Sequence, residues 1–160
     1  MQTLTSDQKK SASVLLTAQA VFMGLVLVGP LVDRVLIANT GSLMKYTNIY
    51  FGVILVATGL ILFLASFFKL DKSFTPNPIP KDSGALVTSG VYAFCRHPIY
   101  TAVILISIGW AFVFLSLATS LFTILLIFIL RKKAIFEEQL LTAQYGKSYE
   151  EYMHKVNRFF

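Results

Sequence analysis

The chain has 160 residues, of which 56% are hydrophobic and only 14% charged, a charged share far below that of a soluble domain. This excludes an ordinary water-soluble domain and indicates an all-α integral membrane protein. The formal charge of +6 needs no nucleic acid, because membrane proteins gather Lys and Arg on their cytoplasmic side. One cysteine, Cys95, excludes an intramolecular disulfide, and a lone thiol is more often a small packed hydrophobe than a nucleophile.

Three charge-free runs set the organisation: Ser11 to Val32, Tyr46 to Phe68 and Pro98 to Leu130. A bilayer is spanned by about 20 apolar helical residues, so the first two runs make one crossing each. The first is too long for the apolar core of a cleavable signal and has no small-residue cleavage site, so no signal is expected. Helices are predicted from about Ser13 to Ile37, with Pro30 distorting the far end, and from about Tyr46 to Lys69, with a turn through Asn39-Thr40-Gly41-Ser42 between them. Gly52 and Gly59 of the second helix allow close approach of a neighbour.

The composition changes abruptly at Leu70. Phe74-Thr75-Pro76-Asn77-Pro78-Ile79-Pro80 carries alternate prolines and favours an extended path. A loop of this length with Leu86, Val87, Val91, Tyr92 and Phe94 in it reads as a binding element rather than a disordered linker. It leads into Arg96-His97-Pro98-Ile99-Tyr100. Pro98 suits a first helical turn, which places Arg96 and His97 at the positive end of a helix, where free N–H groups, the macrodipole and a guanidinium favour an anion such as a carboxylate or phosphate. The plainer alternative is an arginine snorkelling to the membrane surface beside an incidental histidine.

As one helix, Pro98 to Leu130 would be about 50 Å long against a hydrocarbon thickness of about 30 Å. Ser116-Leu117-Ala118-Thr119-Ser120 is its polar cluster, so a hairpin is predicted, with helices from Pro98 to Leu115 and from Ala118 to about Ala143. Four spans with both termini cytoplasmic put only Arg34 and Lys45 outside. The hairpin returns Glu137 and Glu138 to the side of Arg96 and His97. Beyond them Tyr145, Tyr149 and Tyr152 fall on one helical face, and Gly146 stands where one helix can end and another begin. Taken alone, this tail also reads as an amphipathic segment with solvated glutamates. The chain thus divides into a two-helix membrane part, 1–69, and a unit of loop, hairpin and cytoplasmic helix, 70–160.

The pattern Leu86-Val87-x-x-Gly90-x-Tyr92-x-x-x-Arg96-His97-Pro98-x-Tyr100, followed by Glu137-Glu138-x-x-Leu141-x-x-x-Tyr145-Gly146-x-x-Tyr149-x-x-Tyr152, resembles the isoprenylcysteine carboxyl methyltransferase and phospholipid methyltransferase superfamily. So does the Thr-Pro-x-Pro-x-Pro stretch before it. The likeness covers about Phe74 to Phe160. It departs at Ala102, where the family usually has Gly, and at Val91, where Pro is common. The resemblance implies S-adenosylmethionine as cofactor and a lipid or lipid-modified methyl acceptor, met at the cytoplasmic membrane face. It further implies cofactor-binding roles for Leu86, Val87, Gly90, Tyr92, His97, Tyr100, Glu137 and Glu138, and catalytic roles for Arg96, His97 and Glu138. Neither a metal, nor nucleic acid, nor an obligate protein partner is expected.

Elementary chemistry agrees with that implication. The cofactor's methionyl end pairs a carboxylate with an ammonium, which an arginine and a glutamate match. A sulfonium needs no activation to give up its methyl group, so transfer rests mainly on alignment and exclusion of water. A carboxylate acceptor needs no general base, whereas an amine must lose a proton, with Glu137, Glu138 or His97 at hand. Two other readings stand beside it: a membrane reductase of the related sterol reductase type using NADPH, and a small non-enzymatic four-helix membrane protein.

Overall fold

The computed structural model describes residues 5–36, 45–70 and 86–159. The Asn39 to Ser42 turn and the proline-rich stretch lie outside them. Among the described residues five α-helices form: α1 (Ser6–Leu36), α2 (Lys45–Leu70), α3 (Pro98–Phe114), α4 (Leu117–Tyr145) and α5 (Lys147–Lys155), with a 3-10 turn at Gly90–Ala93.

α1 begins earlier than expected because Thr5 and Gln8 make a reciprocal cap. Gln8 N–H donates to Thr5 Oγ1 at 3.2 Å, and Thr5 N–H donates to Gln8 Oε1 at 2.9 Å, so the polar residues ahead of the apolar run join the helix. Pro30 sits inside α1, where its missing N–H leaves the Val26 carbonyl without its usual partner. Thr119 of α4 donates its hydroxyl to that carbonyl at 3.4 Å. Gly29 makes room for it, since a Cβ there would lie 2.3 Å from Thr119 Oγ1. In a lipid-facing bundle such re-satisfaction is what lets proline stand within a span.

The predicted hairpin forms at the predicted place. Leu115 adopts the left-handed conformation (φ 50°) and closes α3, while Ser116 Oγ caps α4 by accepting from Thr119 N–H at 2.9 Å. The Asp33 carboxylate, from the end of α1, also accepts from Ala118 N–H at 3.2 Å, an anion at the positive end of α4. α4 then runs for 29 residues, about 44 Å, which carries it well past the apolar layer.

α1 packs on α4 and α2 on α3, and the two pairs meet through the hairpin. Gly52 of α2 faces Gly109 of α3, and Gly59 faces Ala102, so the seven-residue spacing of one pair answers that of the other. A Cβ on either Gly52 or Gly109 would lie 2.7 Å from the other's carbonyl oxygen. Backbones approach this closely only without side chains between them. Tyr100, Ile104, Leu126, Leu130, Ala134 and Val26 make the buried core, with Tyr100 joining it to the polar end.

The outer faces are apolar. Val14, Val21, Val28 and Val35 on α1, and Ile54, Ile61 and Phe68 on α2, recur at seven-residue spacing and are all exposed. Such stripes belong against lipid. α1 and α2 are each long and apolar enough to cross a membrane, and α3 is a shorter apolar helix.

Because a methyl group at the Gly52 and Gly109 crossing meets backbone, Gly109→Ala is expected to cost about 1–3 kcal/mol. Gly24→Ala, with open space around it, serves as the control. Denaturant titration of the detergent-solubilised protein checks this, and equal midpoints for the two variants would contradict the close crossing.

Candidate active site

The site assembles where the start of α3, the far end of α4 and the tail after α5 meet. Pro98 opens α3 with His97 as its N-cap. α4, continuing beyond the apolar layer, sets Glu137 and Glu138 against it. Gly146, at φ 55°, ends α4 and reverses the chain into α5, a backbone conformation that only glycine adopts without strain. The tail returns to the pentad and pairs with it: Arg96 N–H donates to Asn157 O at 2.9 Å and His97 N–H to Arg158 O at 3.0 Å. Two of the amides expected to greet an anion are thus taken by the chain itself. Tyr152 secures the same closure by donating its hydroxyl to Tyr92 O at 2.5 Å.

Glu138 is 5% exposed and stands at the centre. Its Oε1 accepts from Arg96 Nη2 at 2.9 Å and Nε at 3.1 Å, and lies 3.2 Å from His97 Nε2. Its Oε2 accepts from Arg158 Nη2 at 2.6 Å, with Arg158 Nε 3.1 Å away. Arg96 also donates through Nη1 to Met153 O at 2.9 Å and Val156 O at 2.6 Å, so it closes the carbonyl end of α5 as well. It does not snorkel to a surface.

Glu137 forms the second branch. Its carboxylate accepts from the Tyr100 hydroxyl, and its Oε2 lies 3.4 Å from His97 Nδ1. His97 therefore bridges the two glutamates with its two ring nitrogens while its ring stacks on Tyr100, centroids 5.3 Å apart. Burial alone would push His97 down, but the hydrogen bonds to Glu137 and Glu138 outweigh it and raise its pKa. Burial would likewise raise Glu138, yet the donors of His97, Arg158 and Arg96 hold its carboxyl well below the usual carboxylate range. Tyr149 is 1% exposed, its hydroxyl has no partner among the described residues, and burial followed by the charge of Glu138 raises its pKa.

Of the residues singled out in the sequence, Arg96, His97, Tyr100, Glu137 and Glu138 come together. Tyr92 is buried and tied to α5 through Tyr152. Leu86 and Val87 are half-buried in the segment leading in, and Gly90 is exposed beside Lys69 of α2. Cys95 is buried, its Sγ 3.9 Å from Thr101 Oγ1, as befits a packed thiol.

Two neighbours of the cluster lie outside the sequence motif. Arg158 is the third side chain that meets Glu138, after Arg96 and His97. Lys133, 2% exposed, donates to Gln19 Oε1 of α1 at 2.7 Å and lies 5.2 Å from the centroid of the Tyr100 ring, a cation–π contact. Burial lowers its pKa against the opposing charge of Glu137.

The phospholipid methyltransferase family model matches residues 47–148. The chain belongs to the phospholipid methyltransferase family. Probable protein-S-isoprenylcysteine O-methyltransferases of Oryza sativa subsp. indica and subsp. japonica are each 31% identical over 111 residues, covering 68% of this chain and 58% of theirs. A solved structure of the eukaryotic intramembrane Ras methyltransferase, isoprenylcysteine carboxyl methyltransferase, superposes over 99% of this chain and 54% of its own, with TM-score 0.71 and 20% identity; that likeness shows the fold. The chain thus spans little more than half the length of these relatives. It is a membrane protein, helical throughout its described elements.

Removing Glu138's charge leaves two guanidiniums facing an amide, and breaking a buried pair costs about 3–5 kcal/mol. The carboxyl's folded pKa is depressed, so its contribution is present above the ordinary carboxylate pKa and is lost as pH falls through the folded value. The stability gap between wild type and Glu138→Gln is therefore expected to be full at pH 7 and to narrow below about pH 4. His97, with a raised pKa, contributes in the opposite sense, fully below about pH 6.5 and less as pH rises through its folded value. Thermal unfolding across pH measures both, and a gap unchanged between pH 7 and pH 3 would contradict the ion cluster.

Proposed function

We propose that this protein is a membrane methyltransferase that binds S-adenosylmethionine at the cytoplasmic ends of α3 and α4 and methylates a lipid or lipid-modified acceptor. The observation that carries the reading is the convergence of two motifs, some forty residues apart in sequence, on one histidine and two carboxylates. The donor set fits the cofactor: carboxylates suit its ammonium, a guanidinium its carboxylate, and the buried, unpartnered Tyr149 hydroxyl offers a further polar contact. When bound, the cofactor supplies an electrophilic methyl group.

The chain's own residues orient and enclose. Glu137 and Glu138 are held in place by Tyr100, Arg96 and His97, so little reorganisation is needed to receive a cation. Leu86, Val87, Gly90 and Tyr92 line the approach in this reading, and Phe159, whose ring lies 6.2 Å from that of His97, helps keep water out. Both ring nitrogens of His97 are already engaged by Glu137 and Glu138, so the ring is not free to take a proton from an acceptor. An amine acceptor has to lose a proton and a carboxylate does not. The cluster therefore favours a carboxylate acceptor, in keeping with the names of the rice relatives.

An acceptor with a long apolar tail loses about 0.8 kcal/mol for each CH₂ exposed to water, so it enters from the bilayer. The charge asymmetry supports a topology of four spans with both termini and the site in the cytoplasm. In a Cys95-free background, single cysteines at Ser6 and Ser148 are expected to label from the cytoplasm and one at Leu117, an exposed position at the hairpin tip, from the other side. Labelling of 148 and 117 from one side would contradict the hairpin span.

His97→Ala and Glu137→Gln should each weaken S-adenosylmethionine binding by about ten- to a hundredfold, the worth of a charge-assisted hydrogen bond. Glu150→Gln, on the exposed face of α5, should change little. Calorimetric titration of the solubilised protein reads this directly, and unchanged affinity in both site variants would reject the shared cofactor site.

A further inference from the structure

Two guanidiniums converge on Glu138, and they are not equivalent. Arg96 spends Nε and Nη2 on Glu138 and Nη1 on the carbonyls of Met153 and Val156, and its side chain is 9% exposed. Taking up a further anion would release the carbonyl end of α5. Arg158 places only Nε and Nη2 on Glu138, its side chain is 28% exposed, and its Nη1 has no partner among the described residues. Its backbone is fixed, because its carbonyl accepts from His97 N–H. Arg158 is therefore anchored at the main chain and open at the tip.

We infer that Arg158, rather than Arg96, receives the carboxylate of the cofactor's methionyl end, an assignment that rests on the methyltransferase reading above. Glu138 and Arg158 stand side by side as an anion and a cation, the complement of a zwitterionic amino acid whose ammonium goes to the glutamate and whose carboxylate goes to the arginine. The planar fork of a guanidinium accommodates a second carboxylate edge, which a lysine ammonium matches less well. Arg96 is a positioning residue that holds Glu138 and the end of α5. A carboxylate could also come from the methyl acceptor, so the assignment must be tested on the cofactor alone.

The test is calorimetric titration of wild type, Arg158→Gln and Arg158→Lys, solubilised as the full chain, with S-adenosylmethionine and with its decarboxylated analogue. Arg158→Gln is expected to weaken S-adenosylmethionine by about ten- to a hundredfold and the decarboxylated analogue by less than about twofold, with Arg158→Lys between wild type and Arg158→Gln. Both ligands are measured on the same preparation, so a partly unfolded variant would lose both equally. Equal losses for both ligands would make Arg158 a structural residue and overturn the assignment. Unchanged affinity for both would overturn it as well and leave the acceptor as the source of any carboxylate bound there. Lys147→Gln, an exposed cation at the start of α5, should change neither. Failure of the wild type to bind either ligand would instead overturn the methyltransferase reading, and this assignment with it.

Discussion

One buried carboxylate ties three separate stretches of the chain together. Glu138, from α4, holds Arg96 and His97 from the start of α3 and Arg158 from the tail. A lone charge at that depth would be costly, and so would two unpaired guanidiniums. The ions are stable there only together, which fixes where the end of α4, the start of α3 and the tail must lie. Helix packing in the apolar layer then has to deliver them. The small-residue crossing of α2 on α3 and the α1–α4 contact, with Thr119 set against Gly29 and Pro30, provide that delivery from the far side.

The same arrangement divides the work chemically. Arg96 and Tyr100 hold the two glutamates, and His97 lies between them. Hydrogen bonding within the cluster shifts both groups against the effect of burial: Glu137 and Glu138 raise the pKa of His97, and His97, Arg158 and Arg96 lower that of Glu138. A site of fixed charges in a closed setting is suited to receiving a charged, pre-activated donor and aligning it. It is less suited to abstracting protons.

Much of this was legible in the sequence. The over-long apolar run with Ser116 to Ser120 inside it required a hairpin, and the hairpin required Glu137 and Glu138 to come back to Arg96 and His97. Gly52 and Gly59 marked a close crossing, although not its partner. Other features needed three dimensions. Thr5 and Gln8 form a recognisable cap, but the charge-free run begins later and drew the helix start with it. Pro30 signalled a distortion; that Thr119 would satisfy the freed carbonyl depends on how α1 and α4 meet. Arg158 is a single arginine in a short tail with no period and no neighbouring motif. Its contact with Glu138 exists because Gly146 reverses the chain and the Asn157 and Arg158 carbonyls pair with the pentad. Lys133 stands in the basic run Arg131-Lys132-Lys133 just past the apolar stretch, and its inward direction, toward Gln19 of α1 and the Tyr100 ring, follows from helix packing.

Hydrogen exchange tests most directly whether these segments form one ligand site. Amide exchange is followed by mass spectrometry on the solubilised wild type, with and without S-adenosylmethionine. Binding is predicted to slow exchange together in the segment from Arg96 to Thr101 and in the segment from Gly146 to Phe159, with the same dependence on ligand concentration. Protection confined to one of the two segments, or rising at a different concentration in each, would contradict a single site built around Glu138.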